Sequence, residues 1–134
     1  MKSLRLMTLI LAAVLISTGA LAATAAPADK EMAVVDLPDK TVLVKSVLQG
    51  KYIFLHDDSK MGKGEPCFYV YEYSQDQAGQ PEVRPDKLVV SFHCQRVQHE
   101  KATHIVLTYG MTGSGMFELR EIQFAGTTEG HRVP

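Results

Sequence analysis

The sequence predicts an all-β fold, a small antiparallel sandwich or barrel of about six strands behind a cleaved signal peptide. Three observations carry that expectation. Short runs rich in β-branched and aromatic residues recur from Thr41 to Phe124. Clusters of Gly, Pro and polar residues separate them. The first 22 residues have the basic, apolar, small-residue order of an export signal.

Within that signal, Lys2 and Arg5 supply the basic region, Leu6 to Ile16 the apolar region, and Ala20-Leu21-Ala22 and Ala23-Thr24-Ala25 two A-x-A sites. The apolar run is well short of the ~20 residues that span a bilayer, so cleavage fits better than anchoring. Residues 1–22 are expected to leave, with cleavage as late as residue 28, and the absence of a nearby cysteine removes a lipoprotein attachment point. An exported protein follows, periplasmic or extracellular, with no membrane association after cleavage. Once Lys2 and Arg5 are gone, 12 of the 14 basic residues remain against 15 acidic ones. That balance argues against nucleic acid and anionic lipid, both of which need a basic footprint.

Residues 23–40, rich in Ala, Pro and Asp, read as a flexible leader, and residues 41–124 as a single β domain. Thr41 to Leu48 opens the domain, and Gln49-Gly50 separates it from Lys51 to His56, whose Tyr52, Phe54 and His56 share one face. Pro66 suits the entrance to Cys67–Tyr73, where Cys67, Tyr69, Tyr71 and Tyr73 lie opposite Phe68 and Val70. Ser74 to Asp86 is too polar to bury. Leu88 to Cys94, Thr103 to Tyr109 and Phe117 to Phe124 complete the set. In the last run Phe117 and Leu119 have one parity and Ile122 and Phe124 the other, which predicts a bulge near Arg120 and Glu121, with a short helix as the alternative. Gly110 to Gly115 is then a hairpin turn, and residues 125–134 a polar tail.

The two cysteines, Cys67 and Cys94, are expected to form a disulfide in an exported protein. That bridge closes a loop of 28 residues and contributes about 3 to 4 kcal/mol in the chain-entropy estimate. The competing reading is a soft-metal site for copper(I) or zinc that uses Cys67 or Cys94 with His56, His93, Met61, Met111 or Met116. His93 and Cys94 are adjacent in an expected strand and point to opposite faces, which weakens it. With the cysteines bridged, no stoichiometric metal and no cofactor are expected. Better-known motifs fail on spacing: an EF-hand loop from Asp57 puts Phe68 where a bidentate Glu is required, and His99-Glu100 to His104 is one residue too long for a zincin.

The combination His56-Asp57, Met61, Gly64, Pro66-Cys67, Phe92-His93-Cys94 and Phe124-Ala125-Gly126 resembles a group of short exported bacterial proteins of unassigned function. The resemblance spans most of the mature chain and implies export but no activity. The residues themselves nominate one surface, His56, Asp57, Asp58, Met61, Tyr69, Tyr71 and Tyr73, for an unidentified protein or small-molecule ligand. Against it, Asp57 and Asp58 also suit a helix cap or turn, and the tyrosines a core with hydroxyls at its rim. A non-catalytic binding or interaction module leads, a soft-metal protein is the alternative, and an enzyme comes third because no activated nucleophile or acid/base pair stands out.

Overall fold

The structure is a computed structural model that describes residues 30–74 and 81–134. The expected signal peptide and part of the Ser74–Asp86 loop lie outside those residues. The domain is all-β, a curled mixed sheet that forms a half-barrel. Its strands are β1 (Lys30–Leu43), β2 (Ser46–Asp57), β3 (Phe68–Glu72), β4 (Leu88–Phe92), β5 (Gln95–Gln98), β6 (Val106–Met111), β7 (Phe117–Gln123) and β8 (Glu129–Arg132), with one helical turn, α1 (Asp58–Met61), after β2. Across the sheet the order is β4-β3-β2-β1-β7-β8-β5, with β6 paired to β7 alone. All pairings are antiparallel except a short parallel contact of β1 with β7 at Thr41 and Val42.

Several boundaries differ from expectation, each for a physical reason. Residues 30–40 are the first part of β1, pairing with β2 from Lys30↔Asp57 to Leu37↔Gly50. Ala33, Val35 and Leu37 turn inward there while Met32 and Val34 are 41% and 40% exposed, the period-2 alternation of a half-buried strand. Thr41 to Leu48 is two strand ends joined at Val44-Lys45, with Val44 at φ 59°. The Gln49-Gly50 signal marks an irregularity, because pairing jumps from Leu37↔Gly50 to Thr41↔Leu48 and leaves Pro38, Asp39 and Lys40 opposite Gln49. Gln49 Nε2 donates to the Pro38 carbonyl at 2.9 Å and Gly50 takes φ 99°, so the long hairpin bends at that point.

The bulge in β7 is present. Thr108 pairs with Glu121 and Tyr109 with Leu119, so Arg120 is the extra residue. It keeps Leu119 and Ile122 on one buried face, 1% and 0% exposed, where β7 passes from β1 to β8. The 125–134 segment, expected as a tail, contains β8, which pairs with both β7 and β5.

The concave face of the half-barrel holds the core. Phe68 is its centre, stacked on Phe92 at 4.9 Å and edge-on to Phe54 at 5.9 Å, with Phe124 at 5.9 Å. One row of directly paired residues, Glu31–His56–Phe68–Phe92, crosses β1, β2, β3 and β4 on that face. The core therefore runs into a polar group at its β1 end.

Candidate metal centre

Three strands and the flanks of two others deliver the polar group. Glu31 near the start of β1 and His56 near the end of β2 are register partners, so their side chains share the inner face. His131 comes from β8, opposite Ile122 on β7 and Arg96 on β5, and the curl of the sheet lays its ring on that of His56. The two imidazole centroids are 3.8 Å apart with planes 31° from parallel. Phe68 closes the other side, 6.2 Å from His56 and 6.0 Å from His131. Both histidines are sealed from solvent, at 1% and 0% exposure.

Glu31 fixes the protons of both rings. Its Oε2 lies 2.9 Å from His131 Nε2 and 3.3 Å from His56 Nδ1. A carboxylate only accepts, so each of those nitrogens carries a hydrogen and donates it. When a ring carries a single hydrogen, its lone pair is then on His131 Nδ1 or on His56 Nε2. His131 Nδ1 faces Cys94 Sγ at 3.8 Å. His56 Nε2 is buried with no hydrogen-bond partner among the described residues, the Asp58 carboxylate being 3.6 Å away. Burial would raise the Glu31 carboxyl, but the hydrogen bonds from His131 and His56 and their charge outweigh it and hold the group at about 2.

The cysteines complete the cluster. Cys67 enters β3 and Cys94 follows β4, and since those strands pair antiparallel through Phe68↔Phe92 the two thiols meet. The expected disulfide is not formed: both residues are free thiols, with sulfurs 2.6 Å apart where a bond requires about 2.05 Å. The Cys94 amide donates to Cys67 Sγ at 3.2 Å. Burial, with the neighbouring Cys67, pushes the Cys94 thiol well above its ordinary range. His56, Cys67 and Cys94 offer three ligand atoms within 4.8 Å of one another, as do Glu31, His56 and His131.

Of the residues singled out in the sequence, His56, Cys67 and Cys94 come together at this centre. His93 is exposed and Cys94 buried, although both lie past the end of β4 rather than in a strand. Met61, on α1, is half-buried against the core edge. Asp57 caps α1, its carboxylate accepting from Ser59 N at 3.1 Å and Ser59 Oγ at 2.6 Å, which lowers its pKa. Asp58 accepts from Arg96 at 2.6 Å. Tyr69 and Tyr71 stack at 6.4 Å on the opposite face of the sheet from Phe68, half-buried and buried, with the Tyr69 hydroxyl donating to the Pro66 carbonyl; Tyr73 lies beyond β3, half-buried. Glu31 and His131 were missed. The signal for His131 was its alternation with Val133, which also packs on the core.

A Cys94–His131–Glu31 line has the order of a nucleophile, base and orienting acid. Two features speak against that use. Cys94 is 9% exposed, with its thiol pushed up by burial, when a nucleophile needs a lowered pKa and access. The adjoining cleft of about 760 Å³ is lined by Glu31, Asp58, Lys101, Phe124, Thr127 and Glu129 among others, but by neither cysteine nor His131. Glu31 is thus the wall between cleft and cluster. No protein-family model, curated protein or solved structure matches the chain.

Proposed function

We propose that this is an exported zinc-binding domain, with Cys67, Cys94, His131 and His56 as ligands and Glu31 as the outer partner of both histidines. Two thiolates and two imidazoles make the S2N2 donor set that favours tetrahedral zinc. The observation that carries the reading is the position of the Glu31 carboxylate, within reach of one nitrogen of each buried imidazole. One carboxylate takes a proton-bearing nitrogen from each imidazole and leaves each a lone pair inside a sealed site. Histidine ligands to metals are oriented in the same way, by a carboxylate on the non-ligating nitrogen. An unsatisfied buried nitrogen costs about 1 to 3 kcal/mol, and a metal ion removes that cost. The Cys94 amide hydrogen directed at Cys67 Sγ complements the negative charge of a ligated sulfur. Four protein ligands and no open position describe a site that holds an ion rather than one that activates water.

This reading replaces the interaction module favoured by the sequence. It gives the buried histidine pair a role, which a docking surface does not. The signal-like residues 1–22 support export. Glu31, on the cleft wall, is the side through which an ion would pass.

The test is native mass spectrometry of fully reduced protein titrated with zinc. One zinc per chain is expected, reduced to weak or no binding in Cys94→Ser and His131→Ala, with folding followed by circular dichroism. Unchanged zinc uptake in both variants would remove the proposal.

A further inference from the structure

We infer that the Cys67–Cys94 pair is also a release switch, in which a peroxide joins the two sulfurs and thereby expels the zinc. The inference rests on the zinc reading above. The two sulfurs are neighbours inside the core, and the pair can take either of two arrangements that exclude each other. A disulfide holds them about 2.05 Å apart. Two sulfurs on one tetrahedral zinc, each about 2.3 Å from the metal, lie about 3.8 Å apart. Cys67 lies just before β3 and is tied on both sides, its N–H donating to the Phe92 carbonyl at 3.2 Å and its carbonyl accepting from Asp57 N at 2.8 Å. The adjustment therefore falls on Cys94, which lies between β4 and β5. A sulfur bonded to sulfur no longer carries the thiolate charge that binds a metal, so the two states compete for the same electrons.

Access sets the order of events. At 9% exposure Cys94 is too buried for a substrate-sized electrophile but more open than Cys67 at 1%, and as a zinc-ligated sulfur it would carry the thiolate charge that the metal-free thiol lacks, which puts the first step on Cys94 with an oxidant as small as peroxide. The Cys94 sulfur attacks one oxygen of hydrogen peroxide, the O–O bond breaks, and the departing hydroxide takes a proton and leaves as water. Cys94 is then a sulfenic acid. The Cys67 sulfur attacks the Cys94 sulfur, the S–O bond breaks, and the departing hydroxide takes a second proton and leaves as a second water. In total one peroxide is reduced to two waters, two thiolates are oxidised to one disulfide, and zinc departs as the dication with its charge unchanged. His56, His131 and Glu31 remain, a set without thiolate.

The full-length reduced protein, loaded with one zinc under anaerobic conditions, is treated with one equivalent of hydrogen peroxide. Free zinc is followed with a metallochromic indicator and the bridge by non-reducing peptide mapping. The expected result is one zinc released for each Cys67–Cys94 disulfide, with uptake restored by dithiothreitol. Zinc retained after the bridge has formed overturns the switch while leaving the zinc site standing. Release without the bridge overturns it as well. Failure of the reduced protein to take up zinc overturns both. In Cys67→Ser, which has no partner for the sulfenic acid, dithiothreitol-reversible release coupled to disulfide formation is expected to vanish.

Discussion

Glu31 accepts from two buried imidazoles and, by doing so, decides which nitrogen of each is left with a lone pair. Its removal separates orientation from ligation. Glu31→Gln should keep one zinc per chain but weaken binding about 10- to 100-fold, the usual effect of losing an outer-shell partner; isothermal titration of the reduced protein checks it. The same residue predicts an acid limb in the stability of the zinc-free protein. Its folded pKa of about 2 lies below the ordinary 4.5, so its contribution is complete above about pH 4.5 and is lost as pH falls toward 2. Thermal unfolding at stepped pH across that window should show a steeper decline for the native sequence than for Glu31→Gln. Parallel curves would deny Glu31 its place. At this scale three of the centre's five residues were legible in the sequence. His56, Cys67 and Cys94 stood in or beside recognisable strands, whereas Glu31 and His131 sit in polar segments whose burial is created only when the sheet curls and brings β1 and β8 to β2.

The elements divide along the same line. β2, β3, β4 and the β6–β7 hairpin were legible because their side chains alternate or carry a marked turn, and the parity break in β7 located its bulge at Arg120. β5 (QRVQ) and β8 (EGHR) have no apolar alternation of their own and are held by backbone pairing to neighbours, so nothing local announces them. The first part of β1 was hidden by Pro38 and Asp39, which read as loop but lie in an irregularity opposite Gln49. Two substitutions test the packing that follows. Phe68→Ala removes the ring shared by Phe54, Phe92 and Phe124 and should cost about 3 to 5 kcal/mol in urea unfolding. Gly130 in β8 has no room for a methyl: a Cβ there would meet Glu121 Oε1 and His99 Cδ2, each at 2.8 Å, and these two side chains are bonded to each other. Gly130→Ala should therefore cost about 1 kcal/mol, and most of that loss should disappear in the background of Glu121→Ala, which frees His99 to move.

The described residues form a half-barrel whose hydrophobic core ends in the cluster of Glu31, His56, His131, Cys67 and Cys94, so on the proposed zinc reading core stability and metal occupancy are expected to be linked. Zinc that binds the folded chain alone adds about 2.7 kcal/mol at a free concentration 100-fold above its Kd. The melting temperature of reduced protein should rise with zinc concentration, and that of the peroxide-bridged protein should not. The centre is assembled from residues far apart in the chain, Glu31 and His131 being separated by 100 positions, and only a folded sheet presents them together. The measurement that addresses this most directly is zinc-edge X-ray absorption on the reduced, zinc-loaded protein. The account predicts a shell of two sulfurs at about 2.3 Å and two imidazole nitrogens at about 2.0 to 2.1 Å. A shell made only of nitrogen and oxygen, with no sulfur contribution, would contradict it.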